Sequence, residues 1–91
     1  MAELVYREDP YARSCRARVV AVTSAGIELD RTVFYPTGGG QPGDSGTLAF
    51  ADGSVISIGG AVKGGADDAV VHVPVPGSPS PAPGEEVEAV L

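Results

Sequence analysis

Residues 29–46 read Leu-Asp-Arg-Thr-Val-Phe-Tyr-Pro-Thr-Gly-Gly-Gly-Gln-Pro-Gly-Asp-Ser-Gly, and no helix or unbroken strand can pass through the second half of that run. Gly38, Gly39 and Gly40 carry no side chains, admit positive φ, and leave backbone N–H and C=O groups open to an approaching ligand. Gln41 adds an amide donor and acceptor beside them. Each glycine costs roughly 0.5–1 kcal/mol of conformational freedom relative to alanine, so the run needs a reason. Two readings are open at this point: a turn between strands, or a loop that contacts a ligand.

The rest of the chain is written in short alternating segments. Residues 13–23 alternate, with Cys15, Ala17, Val19 and Ala21 on one face and Arg16, Arg18, Val20 and Val22 on the other, as in a half-buried strand. Ser24-Ala25-Gly26 reads as a turn, and Ile27 opens a second strand on which Ile27, Leu29, Val33 and Tyr35 share one face, with Arg31 breaking the pattern. Thr47–Phe50 and Ser54–Ile58 flank Ala51-Asp52-Gly53, a hairpin signal because Asp-Gly tolerates the turn's backbone. Gly59-Gly60 suggests a bulge before Ala61-Val62-Lys63, residues 64–68 a turn, and residues 69–73 a compact strand. Residues 74–84 are rich in proline, serine and glycine and read as a connector, after which Val87, Ala89 and Leu91 define one face of a last strand. The expectation is one domain over residues 1–91: an all-β, small antiparallel barrel of about six strands with Gly/Pro-rich turns.

Several chemistries are excluded. Gly38–Gly43 matches G-x-G-x-x-G, but Pro42, Gly43 and Gly46 leave no helix to face a pyrophosphate. Asp44-Ser45 stands where a phosphate-binding loop needs its lysine. Gly43-Asp44-Ser45-Gly46 lacks the upstream histidine of a trypsin-like site, since His72 comes later. No catalytic residue and no metal site is read from this chain: His72, Cys15 and scattered carboxylates do not make the three ligands a catalytic zinc wants. His72 between two valines reads as a strand residue with a satisfied hydrogen bond, and Asp67-Asp68 as a solvated turn. Arg16 and Arg18 read as the polar face of the first strand or, alternatively, as a small phosphate contact.

Charge limits the partners. The net charge is −6, and after residue 31 only Lys63 stands against seven carboxylates. An acidic chain lacks most of the counterion-release attraction of RNA, so RNA binding by this chain alone should be weak or absent. A single cysteine and no secretory or membrane-spanning segment fit the cytoplasm and no membrane partner.

Leu29–Pro36, Gly38–Gly46 and the later Val71-His72-Val73 resemble the glycine-rich signature of alanyl-tRNA editing proteins, the AlaX family and the editing region of alanyl-tRNA synthetase. The resemblance extends loosely from about Tyr6 to Leu91. It implies a translation-protein barrel set before a zinc hydrolase domain, in which H-x-x-x-H and C-x-x-x-H motifs hold the metal. That enzyme hydrolyses serine or glycine esters wrongly attached to tRNA-Ala. Neither zinc motif occurs here, so zinc is expected only in a catalytic domain that this chain lacks, and the chain is expected to be inactive alone. The resemblance places Gly38, Gly39, Gly40 and Gln41 against the aminoacyl end of tRNA-Ala, with Tyr35 and Thr37 framing the loop. Pro42, Gly43, Asp44 and Gly46 would shape the turn, Asp44 through side-chain-to-backbone bonds. Both a freestanding editor and a full synthetase remain open as the parent, although Met1 close to the first strand favours the former. The competing reading is a stand-alone, non-catalytic barrel that binds a protein or small molecule.

Overall fold

Strands with one apolar face bury it most completely by curling into a closed sheet, which also leaves no free edge. The computed structural model describes residues 3–9, 11–38, 43–64 and 69–91 and shows this closure. In chain order its elements are β1 (Glu3–Leu4), α1 (Val5–Glu8), β2 (Ser14–Thr23), β3 (Gly26–Leu29), β4 (Arg31–Thr32), β5 (Gly46–Phe50), β6 (Val55–Lys63), β7 (Val70–Pro74) and β8 (Glu86–Val90). Six of them close a barrel in the order β2-β3-β7-β6-β5-β8, with every neighbouring pair antiparallel. The small antiparallel barrel expected from the alternation is the fold.

Two bulges shape it. Against β7, Ile58 pairs with Pro74 but Gly60 pairs with Val73, so Gly59 is the extra residue, as the double glycine suggested. The inner face accordingly passes from Ile56 and Ile58 to Ala61, all buried. The other bulge was not anticipated. Val19 pairs with Leu29 and Ala21 with Glu28, which leaves Val20 unpaired and 52% exposed. Because side chains alternate with period two, one extra residue exchanges the faces. Val22 therefore packs against the core, contrary to the expected outward orientation.

The second strand also departs from expectation. It stops at Asp30, whose N–H donates to Arg18 O (3.0 Å) and whose carboxylate accepts from Arg18 N–H (2.8 Å). Beyond this break β4 pairs in parallel with β1, and Glu3 N–H donates to Asp30 O (2.8 Å). The pairing carries Leu4 into the core. Neither β1 nor α1 was read from the sequence. The break also ends the alternation: Val33 and Phe34 are both buried, while Tyr35, expected to share a face with Ile27, Leu29 and Val33, is 52% exposed.

The hairpin at Asp52 forms as expected, its carboxylate accepting from Ser54 N–H (2.9 Å) and Ser54 Oγ (2.6 Å). Pro74, expected in the connector, instead ends β7 opposite Ile58, and Val75 N–H still donates to Ser57 O (3.0 Å). Residues 75–85 then lead to β8, tied down where Gly84 N–H donates to Val19 O (2.7 Å). Val87 and Ala89 of β8 are buried, but Leu91 lies past the strand and is 36% exposed, not on the inner face. The expected turn at 64–68, including Asp67 and Asp68, lies outside the described residues apart from Gly64, whose N–H donates to Ala69 O (2.8 Å).

Candidate glycine-loop site

Residues 32–37 run from the barrel interior to its surface. Thr32, Val33, Phe34 and Pro36 are buried; Tyr35 and Thr37 are exposed. At the surface the two ends of the glycine run are fastened together. Asp44 N–H donates to Tyr35 O (2.9 Å), and Tyr35 N–H donates to Asp44 Oδ2 (2.8 Å), a reciprocal pair using one backbone and one side-chain acceptor. Deeper in the loop, Gly43 N–H donates to Thr37 Oγ1 (2.8 Å) while Thr37 N–H donates to Ala61 O of β6 (2.7 Å). Residues 38–42 thus join two ends already anchored to each other and to the barrel. Gly39, Gly40, Gln41 and Pro42 lie outside the described residues.

Gly43 is a steric requirement of this neck, since a Cβ there would run into Ala61 O and would approach Thr37 Oγ1 to 2.8 Å. Gly46 is required similarly, because a Cβ would meet the Val90 carbonyl of β8. Gly38 is different: a Cβ would meet only the end of the Lys63 side chain, at 3.7 Å from Cε and 3.9 Å from Nζ, an ordinary contact. Tyr35 stacks at a tilt on Tyr6, ring centroids 5.0 Å apart, beside the neck. The structure therefore brings Tyr35, Thr37, Gly38, Gly43 and Asp44 to one rim and adds Lys63, which sequence reasoning passed over. Its signal was available: Lys63 is the only cation after residue 31.

Beneath the rim, His72 is fully buried and edge-on to Phe34 at 5.0 Å. Its Nδ1 is 2.8 Å from Ile27 O, and a carbonyl can only accept, so Nδ1 carries the proton. Nε2, 2.7 Å from Thr32 Oγ1, then accepts the hydroxyl proton, and that oxygen in turn accepts Phe34 N–H (3.0 Å). Burial pushes the His72 pKa down, with a smaller opposing effect of the Ile27 bond. The ring is a neutral, fully satisfied strut and has no nitrogen left for a metal.

Zinc does not fit the described residues. Among them no group of three or more His, Cys, Asp or Glu side chains converges. Cys15 is half-buried, and burial raises its thiol pKa. Arg16 and Arg18 share the outer face of β2, but Arg18 is committed to Gly84 O and the Glu86 carboxylate, both at 2.8 Å. The shallow 220 Å³ groove they line with Arg31 also contains Asp30 and Glu86, which offset part of the arginine charge. No helix among the described residues is long and apolar enough to cross a membrane.

The alanyl-tRNA editing protein AlaX-L of Pyrococcus horikoshii is 37% identical over 95 aligned residues that take in this whole chain. The alanine–tRNA ligase of Pyrobaculum neutrophilum is 45% identical over 97% of it. AlaX-M of Pyrococcus horikoshii is 48% identical over 53% of it. This chain is a domain of the alanyl-tRNA editing and synthetase family. No protein-family model matches it. The editing-family domain spans 23% of the AlaX-L length, 22% of AlaX-M and 9% of the ligase, so its barrel corresponds to a minor part of each.

Proposed function

We propose that this barrel is the accessory domain of an alanyl-tRNA editing hydrolase and that its glycine loop meets the aminoacyl end of mischarged tRNA-Ala in the cytoplasm. The observation that carries this reading is the doubly fastened neck: Tyr35 with Asp44, and Thr37 with Gly43 and Ala61. An ordinary turn does not need glycines at positions such as Gly38 where a Cβ would be tolerated. A backbone that must be approached closely by a ligand does. Bare N–H groups at Gly38, Gly39 and Gly40 would reach an ester carbonyl or terminal ribose without side-chain obstruction, and could help hold the charge that develops on an acyl oxygen. Gln41 would supply the side-chain polar contact.

The substrates are serine or glycine esters of tRNA-Ala. Zinc, its ligands and the groups that carry the chemistry would come from a catalytic domain outside these residues. The test is Gln41→Ala in the full-length protein. Deacylation of seryl-tRNA-Ala should fall about tenfold or more, the loss of a hydrogen bond that matters in the transition state, while the barrel stays folded. Turnover equal to wild type would remove Gln41 from the site.

A further inference from the structure

Lys63 closes β6 and lies over the first glycine of the loop. Three facts set it apart from a solvated strand-end lysine. Its ammonium end sits within ordinary contact distance of the position a Gly38 side chain would occupy, so the charge lies beside the loop. It is exposed, and among the described residues no carboxylate pairs with it, whereas Arg18 and Arg31 are paired with Glu86 and Glu3. Finally, every arginine lies at or before residue 31, so Lys63 is the one fixed positive charge in a stretch with seven carboxylates. At the rim itself, an anionic ligand would find in Lys63 a cation beside Gly38.

The geometry points to Lys63 as a positioning residue that contacts a phosphodiester of the single-stranded 3′ end of tRNA as that end passes Gly38. The inference rests on the editing reading. It adds to that reading a cation that holds the strand in register without touching the reacting ester. Phosphate contacts of this kind fix position and carry no sequence information. They also leave a signature that a structural role does not: each one removed lowers the slope of log K against log salt, by about 0.7 for a single strand.

The experiment measures binding of tRNA-Ala to the full-length protein across a salt series, for wild type, Lys63→Gln and Lys63→Arg, alongside deacylation of seryl-tRNA-Ala. Lys63→Gln should weaken binding about three- to tenfold at low salt and lower the slope by about 0.7, and Lys63→Arg should restore both. KM should rise with kcat nearly unchanged, because the contact is the same in ground and transition states. An unchanged slope in Lys63→Gln, in an enzyme that still binds and deacylates, overturns the assignment of Lys63 and leaves the editing reading standing. A changed slope in a protein that binds tRNA without deacylating it keeps Lys63 and overturns the editing reading. Absence of tRNA binding by the wild type overturns both.

Discussion

Residues 32–34 and the neck of the glycine run (Tyr35, Thr37, Gly43 and Asp44) are neighbours in the chain and are held by the same device, a side-chain oxygen bonded to backbone N–H, yet they serve different ends. In the interior, Thr32 Oγ1 links Phe34 N–H to His72, and His72 links onward to Ile27 O. At the rim, Asp44 and Thr37 hold Tyr35 and Gly43. The interior set is sealed from water, so each lost partner costs its full desolvation penalty. The rim set is solvated, and water can replace a lost partner cheaply. Stability should therefore reside in the first set and loop geometry in the second.

The largest expected effect lies inside. His72→Ala leaves a cavity beside Phe34 and strips partners from Thr32 Oγ1 and Ile27 O; it should destabilise the barrel by about 3–4 kcal/mol in urea unfolding. A loss below about 1 kcal/mol would mean the interior set is no more costly to break than the rim. Gly43→Ala is next. Its Cβ would collide with backbone at Ala61, and the neck must shift at a cost of about 1–3 kcal/mol. Gly38→Ala supplies the contrast: its Cβ meets only a flexible lysine end, so the change in stability should stay within about 0.5 kcal/mol. If Gly38→Ala proved as costly as Gly43→Ala, the first glycine of the run would be a structural necessity and the argument for ligand access would lose its support.

The interior set also predicts a pH dependence. Folding lowers the His72 pKa, chiefly by desolvation, so between the folded value and the unfolded value near 6.5 the unfolded chain binds the extra proton. Stability attributable to His72 is present above about pH 6.5 and is lost as pH falls, by at most about 1.4 kcal/mol per pH unit, until the folded ring itself takes a proton. In His72→Gln that slope should disappear from the unfolding free energy between pH 6.5 and the point where carboxylates begin to titrate, on the order of pH 5. A slope that survives the substitution would assign the titration elsewhere.

How much of this the sequence disclosed depended on whether a conformational change was marked by a residue with the matching chemistry. The bulge at Gly59 was legible because two glycines interrupt a β-branched strand. The bulge at Val20 was not, because Val19-Val20-Ala21-Val22 is apolar on either register and nothing marks the change of face. Tyr35 was placed on one face with Ile27, Leu29 and Val33 by extending the alternation across Asp30. The structure breaks the strand there, because the Asp30 carboxylate and N–H both bond to Arg18, twelve residues away and invisible to a local pattern. His72 was recognised as structural, but its partners Thr32 and Ile27 depend on the barrel's closure. Around the glycine run the residue types were evident, and Lys63 was missed because its approach to Gly38 is made through β6 and not through sequence proximity.

The rim's own hydrogen bond supplies the sharpest test of the division between the two regions. Asp44→Ala removes the acceptor of Tyr35 N–H but leaves Asp44 N–H free to donate to Tyr35 O, because that bond belongs to the backbone. At a solvated site this should cost about 0.5–1.5 kcal/mol, less than His72→Ala by a wide margin. Asp44→Asn keeps a carbonyl oxygen at the same place and should cost less still. Hydrogen exchange separates the two: the Tyr35 amide should lose protection in Asp44→Ala, retain most of it in Asp44→Asn, and leave the Phe34 amide, bonded to buried Thr32, unchanged in both. Should Phe34 exchange rise together with Tyr35, the rim and the interior would be one cooperative unit. The loop could then not be loosened without opening the barrel, and a mutant such as Asp44→Ala would report on folding instead of on the site.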